Sequence, residues 1–260
     1  MSKGVEVGLR RLEIGGGQVH QEAGWRLWLP PVASQYADAQ LDDYATAVSD
    51  PHSRFRWQPG TELALRARFS HERGQLVGTG GFGFWNAPFG DPSVRRPALP
   101  RVVWFFYASA ASHLPFAPAA GHGWFVATMD ATRPAALALA PLAPLFLLLH
   151  QVTAVRQRLW PWLQTRLGIS VQSIPGSMTA WRRYGLQWRP DGVAFLVDDQ
   201  LLLETPLSPR GPLGFVCWLD NQYLVAKPNG RLRWGVEAVA QAQWLEVDAL
   251  RIVRNDRQSL

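Results

Sequence analysis

Alternation with a period of two is the strongest constraint on this chain. In Glu62-Leu63-Ala64-Leu65-Arg66-Ala67-Arg68-Phe69, the apolar Leu63, Leu65 and Phe69 alternate with Glu62, Arg66 and Arg68. Successive side chains of a strand point to opposite faces, so this run predicts a strand with one buried face. Arg66 and Arg68 then stand on the other face, either in solvent or in a groove where they would hold a carboxylate or phosphate. From Tyr184 to Leu203 the pattern predicts a three-strand meander, turned at Pro190-Asp191-Gly192 and at Asp198-Asp199. Leu213, Phe215, Cys217 and Leu219 alternate with Gly214, Val216, Trp218 and Asp220, which puts Trp218 and Asp220 on one face. Val102-Val103-Trp104-Phe105-Phe106-Tyr107 is apolar on both faces, as a central strand covered on two sides should be, and its parity stays open. Residues 244 to 253 predict a last strand.

Thirteen tryptophans and twenty prolines punctuate these short runs, which together describe an all-β chain. At 260 residues, one domain spanning 1–260 is the expected organisation, and 47% hydrophobic against 18% charged residues excludes disorder. The lone Cys217 excludes an internal disulfide framework and a cysteine zinc site. Histidines at 20, 52, 71, 113, 122 and 150 have no metal-binding spacing, so neither metal nor cofactor is expected. His113 and His122, flanking a loop after the aromatic strand, are candidate acid or base groups. The net charge of +6 comes mostly from scattered arginines, which suit phosphate, carboxylate or an anionic membrane. No zinc-finger, KH or RRM signature accompanies them, so nucleic acid is not the expected partner. The first residues lack the apolar core of a secretory leader, and the expected location is the cytoplasm.

Residues 134–167 break the β pattern. They run uncharged through ALALAPLAPLFLLLHQ and then turn basic and aromatic at Arg156, Arg158, Trp160, Trp162 and Arg166. Pro134, Pro141 and Pro144 disfavour one continuous helix, and the stretch is too short and broken for a transmembrane span. A helical insertion is expected, either packed over the end of a sandwich or lying peripherally in a lipid headgroup layer.

The run Trp181-Arg-Arg-Tyr184-Gly-Leu-Gln-Trp188-Arg-Pro-Asp-Gly192-Val-Ala-Phe-Leu-Val-Asp198, with Trp218-Leu-Asp220-Asn221 and Gln243-Trp-Leu-Glu-Val-Asp248, resembles the second half of family 16 glycoside hydrolases. Leu65-Arg-Ala-Arg68-Phe followed by Gly81-Phe-Gly-Phe-Trp85 resembles the first half. The resemblance implies a concanavalin A-like jelly-roll β-sandwich, two curved antiparallel sheets with a ligand groove on the concave side. It also implies catalytic glutamates flanking an aspartate on the strand after Gly-Phe-Trp. The corresponding strand here, Val102 to Ser109, has no carboxylate, and none lies between Asp91 and Asp130. Retaining hydrolysis needs two carboxyl groups about 5–5.5 Å apart, one ionised and one protonated, which aromatic side chains cannot replace. Tyr107 as a nucleophile would need an activating base that the strand does not supply.

These considerations predict a non-hydrolytic binder of carbohydrate, glycolipid or another largely apolar small molecule. Its candidate ligand residues are Trp85, Trp104, Tyr107, Trp218, Asp220, Gln222, Arg66 and Arg68. Trp218 would stack on a flat apolar face while Asp220 and Gln222 bind hydroxyls, unless Asp220 and Asn221 only form a turn. Tyr36, Asp42, Asp43 and Tyr44 form either a second site or a plain strand edge. Trp85 and Asn86 end a glycine-rich run that lacks the Lys-Ser/Thr of a nucleotide loop, so its glycines are expected to allow tight β packing. The alternative is an enzyme using Asp220, Asp42, Tyr107 or a histidine as a non-standard acid or base.

Overall fold

A computed structural model describes residues 8–44, 54–88, 98–116 and 120–254. Two seven-stranded sheets with antiparallel pairing dominate it. Across sheet A the order is β1 (Arg10–Ile14), β4 (Asp38–Asp42), β13 (Gly214–Asp220), β6 (Thr79–Trp85), β7 (Arg101–Ala108), β8 (Gly123–Asp130) and β9 (Ser170–Ser173). Sheet B runs β12 (Gln200–Thr205), β11 (Gly192–Val197), β10 (Arg182–Arg189), β5 (Thr61–Phe69), β16 (Gln243–Arg254), β3 (Trp25–Leu29) and β2 (Gln18–Gln21). A separate hairpin, β14 (Gln222–Ala226) with β15 (Leu232–Val236), leaves the end of β13.

The predicted strands are present, and their alternation becomes the sandwich. Leu63, Leu65, Ala67 and Phe69 of β5 are buried in the core between the sheets, as are Phe215, Cys217 and Leu219 of β13. Aromatic rings interlock across the interface: Phe82 with Tyr184 at 5.1 Å, Phe105 with Phe195 at 5.4 Å, and Phe84 with Trp188 at 5.8 Å between centroids. Such pairs contribute about 0.5–1.5 kcal/mol each beyond the burial of their area. The meander forms as its turn residues require, with Asp198 at φ +51° and Asp199 at +63° between β11 and β12.

The insertion between β8 and β9 is helical, and its prolines divide it. Pro134, Pro141 and Pro144 sit in the first turns of α1 (Pro134–Leu139), a 3-10 turn (Ala140–Leu142) and α2 (Ala143–Leu149), where a missing N–H costs nothing. The longer α3 (Thr153–Arg166) follows, and its Trp160 Nε1 donates to Pro115 O at 3.0 Å. No described helix is long and apolar enough to cross a membrane.

Candidate functional site

Register decides which side chains of sheet A share its outer face, away from the core. Gln40, Trp218, Gly81, Phe106 and Phe125 stand in one row across β4, β13, β6, β7 and β8. The next rows hold Asp42, Val216, Gly83 and Trp104 on one side and Asp38, Asp220, Thr79 and Ala108 on the other. The open parity of the aromatic strand is thereby resolved: Trp104 and Phe106 face outward, while Val103, Phe105 and Tyr107 belong to the core. β7 thus presents Trp104, Phe106 and Ala108 on this face, and the strand contains no carboxylate.

Gly81 and Gly83 make this floor flat. They have φ of +153° and +152°, and a Cβ at either would lie 2.1 Å from Phe105 O or 2.4 Å from Val103 O. No side chain fits there, and the large rings meet over the bare backbone. Trp218 contacts Trp104 at 5.4 Å, Phe106 at 5.5 Å and Trp85 at 6.2 Å, and Trp104 meets Trp85 at 5.7 Å. Trp218 and Phe106 are almost fully buried, whereas Trp85 and Trp104 remain partly exposed.

Two of the three indole N–H groups are tied down. Trp218 donates to Thr79 Oγ1 at 3.0 Å, and Trp85 donates to the Tyr44 hydroxyl. The buried Nε1 of Trp104 has no hydrogen-bond partner among the described residues. An unmet buried donor costs about 1–3 kcal/mol.

Polar groups border the rings on both sides. Asp220 Oδ1 accepts from Thr79 Oγ1 at 2.8 Å, Thr79 N at 3.2 Å and Gln222 N at 3.0 Å. Asp38 stands directly across from Asp220 in the β4–β13 register. Burial pushes the Asp220 carboxyl up to about 7, with its hydrogen bonds opposing the shift. On the other border, Arg10 Nε and Nη2 donate to the two oxygens of Asp42 at 2.9 and 2.8 Å, and Gln40 Nε2 also donates to Asp42 at 2.8 Å. The Arg10 guanidinium lies 5.4 Å from the Tyr44 ring centre. Asp42, Asp43 and Tyr44 of the cluster expected with Tyr36 are therefore no plain strand edge, while Tyr36 is half-buried ahead of β4. Asp42, Asp43 and Tyr44 are buried, and Asp43 accepts from Trp57 Nε1 at 2.5 Å and Phe215 N at 2.7 Å, with burial raising it to about 6.

Several expected ligand residues stand elsewhere. Tyr107 points into the core, where its hydroxyl donates to Leu76 O at 2.8 Å and accepts from Gly74 N at 3.3 Å. Arg66 and Arg68 lie on the outer face of sheet B, not on the aromatic face. Arg68 pairs with Glu246 at 2.6 Å, Arg66 pairs with Asp248 at 3.5 Å, and both stack on Trp181. Arg68 borders a cavity of about 190 Å3 with Trp25, Arg26, Trp181, Glu246 and Asp248, in which the two acids answer the arginine charge. Gln222 opens β14 with an exposed side chain, while Asn221 is buried and donates to Gln35 O and Glu237 O, the turn-forming role. Asn86 also serves structure, its side chain donating to Leu99 O and accepting from Arg101 N. His113 is bridged to Val225 beside the hairpin, and burial lowers its pKa. His52 lies outside the described residues. Sequence reasoning missed Asp38 and Gln40, whose place on the aromatic face follows only from β4 pairing with β13.

No protein-family model matches the sequence, and no curated protein matches it. Among solved structures, an endo-β-1,4-glucuronan lyase from the fungus Trichoderma reesei superposes on 98% of this chain and 94% of its own. The sequence identity is 10% and the TM-score 0.50. A Bacillus licheniformis β-glucanase covers 95% of this chain and 92% of its own, at 8% identity and a TM-score of 0.46. At such identities the likeness is one of fold. The chain has a concanavalin A-like jelly-roll β-sandwich, two large antiparallel sheets packed face to face, a fold it shares with the glucuronan lyase.

Proposed function

We propose that the outer face of sheet A binds a carbohydrate by stacking it on Trp85 and Trp104, and that it does so without hydrolysis. One observation carries this reading: the partly exposed rings of Trp85 and Trp104 stand over the Gly81 and Gly83 floor, on the face where β7 offers no carboxylate. A pyranose has an apolar face that such rings accept, and its hydroxyls suit the bordering Gln40. The glucuronan lyase of the same fold acts on a polysaccharide, which is consistent with a glycan ligand. Glycolipid headgroups belong to the same chemical class.

Asp220 supports a second reading, in which the face is an enzyme. A carboxyl held near neutrality beside Asp38 has the protonation range of a general acid. Against this, three protein donors already occupy its Oδ1. Tryptophan fluorescence titrations with neutral and uronic oligosaccharides test the binding reading. Saturable quenching is expected, weakened about tenfold or more by Trp104→Ala and unchanged by Arg68→Ala. Absence of any glycan response, or equal loss in both variants, would contradict it.

A further inference from the structure

The helical insertion exposes apolar surface that no described residue of the sandwich covers. Leu137, Leu145, Leu148, Val152 and Trp162 are each between 44% and 68% exposed. The β14–β15 hairpin adds Leu232 at 57% and Trp234 at 72%. The two elements touch, since the Leu147 side chain lies against Gly230 and Gln151 Nε2 donates to Asn229 O at 2.9 Å. They therefore form one surface.

The charge on that surface has a single sign. The sequence contains no Asp or Glu from Ala131 to Pro190, nor from Asn221 to Val236. Within those spans Arg158, Arg166, Arg231 and Arg233 are exposed. Arg133 and Arg166 also flank a depression of about 360 Å3 with Trp162, whose ring lies 5.5 Å from the Arg166 guanidinium. Exposed leucine, tryptophan near the rim and arginine without acid form the composition that settles in the interfacial layer of a bilayer.

We propose that the insertion and the β14–β15 hairpin together dock the protein on the surface of a bilayer containing anionic lipid. Short helices separated by Pro141 and Pro144 lie in the plane of the interface, with their leucines at the acyl boundary and the arginines at headgroup phosphates. A second copy of the chain, the other occupant of an apolar face, would bring arginine against arginine in a symmetric contact.

Co-sedimentation of the full chain with phosphatidylcholine vesicles, with and without phosphatidylglycerol, tests this. The protein is expected to sediment with the anionic vesicles and to be released by high salt. Leu148→Gln with Trp234→Gln should reduce partitioning at least tenfold with an unchanged melting transition, both sites being solvent-exposed. Arg231→Glu with Arg233→Glu should remove the preference for anionic lipid, at about fivefold per charge lost. Protein remaining in the supernatant with both vesicle types would overturn the proposal, as would unchanged partitioning of the leucine and tryptophan variant. So would sedimentation velocity showing a dimer that the same variant disperses.

Discussion

Trp85 and Trp218 lie with their ring planes 2° apart and their centroids 6.2 Å apart, on neighbouring strands of sheet A. Each is held by its own hydrogen bond, to Tyr44 and to Thr79, so the stack is positioned from both borders of the aromatic face. Trp85→Ala should weaken glycan binding about tenfold, and Tyr44→Phe, which frees the Trp85 indole, should weaken it by a smaller factor. Calorimetric titration of both variants measures the difference.

The glycine floor has a separate test in stability. At Gly81 a methyl group would meet Phe105 O at 2.1 Å with φ at +153°. Gly81→Ala should therefore destabilise by about 2 kcal/mol or more. Gly185 in β10 provides the contrast, because a Cβ there meets only Leu196 side-chain atoms at 3.5 Å and beyond. Gly185→Ala should change stability by less than about 1 kcal/mol in urea denaturation.

Tyr107 separates the core parity from the ligand parity. Tyr107→Phe leaves Leu76 O and Gly74 N without their partner and should cost about 1–2 kcal/mol of stability. Glycan affinity should not move, whereas a ligand residue at this position would lose binding without losing stability.

Burial raises Asp220 to about 7 and Asp43 to about 6, from an ordinary value of 3.8. In that window the folded protein retains protons that the unfolded chain has released. Stability from these groups is thus fully present below about pH 4 and is lost as pH rises toward their folded values. Asp220→Asn keeps an acceptor for Thr79 and Gln222 while removing the titration. Its denaturation midpoint should vary less between pH 4 and 7 than that of the parent protein, and an identical slope would contradict the assignment.

The sandwich was legible in the sequence because its strands carry their pattern locally. Leu63, Leu65 and Phe69 mark a buried face wherever the strand is placed, and Asp198-Asp199 marks a hairpin turn from two residues alone. The aromatic face was legible only in composition. Val102 to Tyr107 is apolar on both sides, and what separates Trp104 from Phe105 is the pairing of β7 with Gly81 and Gly83 of β6. Arg66 and Arg68 were readable as standing away from the core. Which sheet would carry them depended on β5 pairing with β16, which brings Glu246 and Asp248 beside them from far along the chain. Burial of Asp42 likewise depends on Arg10, a partner 32 residues away, and no local pattern announces it.

The most direct test incubates the purified chain with β-linked gluco- and glucurono-oligosaccharides and follows bound ligand and products together. Reducing ends report hydrolysis, and unsaturated sugars, read by ultraviolet absorbance, report elimination. Saturable binding that depends on Trp85 and Trp104, with every oligosaccharide recovered intact, is the expected result. Turnover to either product that Asp220→Asn abolishes would contradict the account.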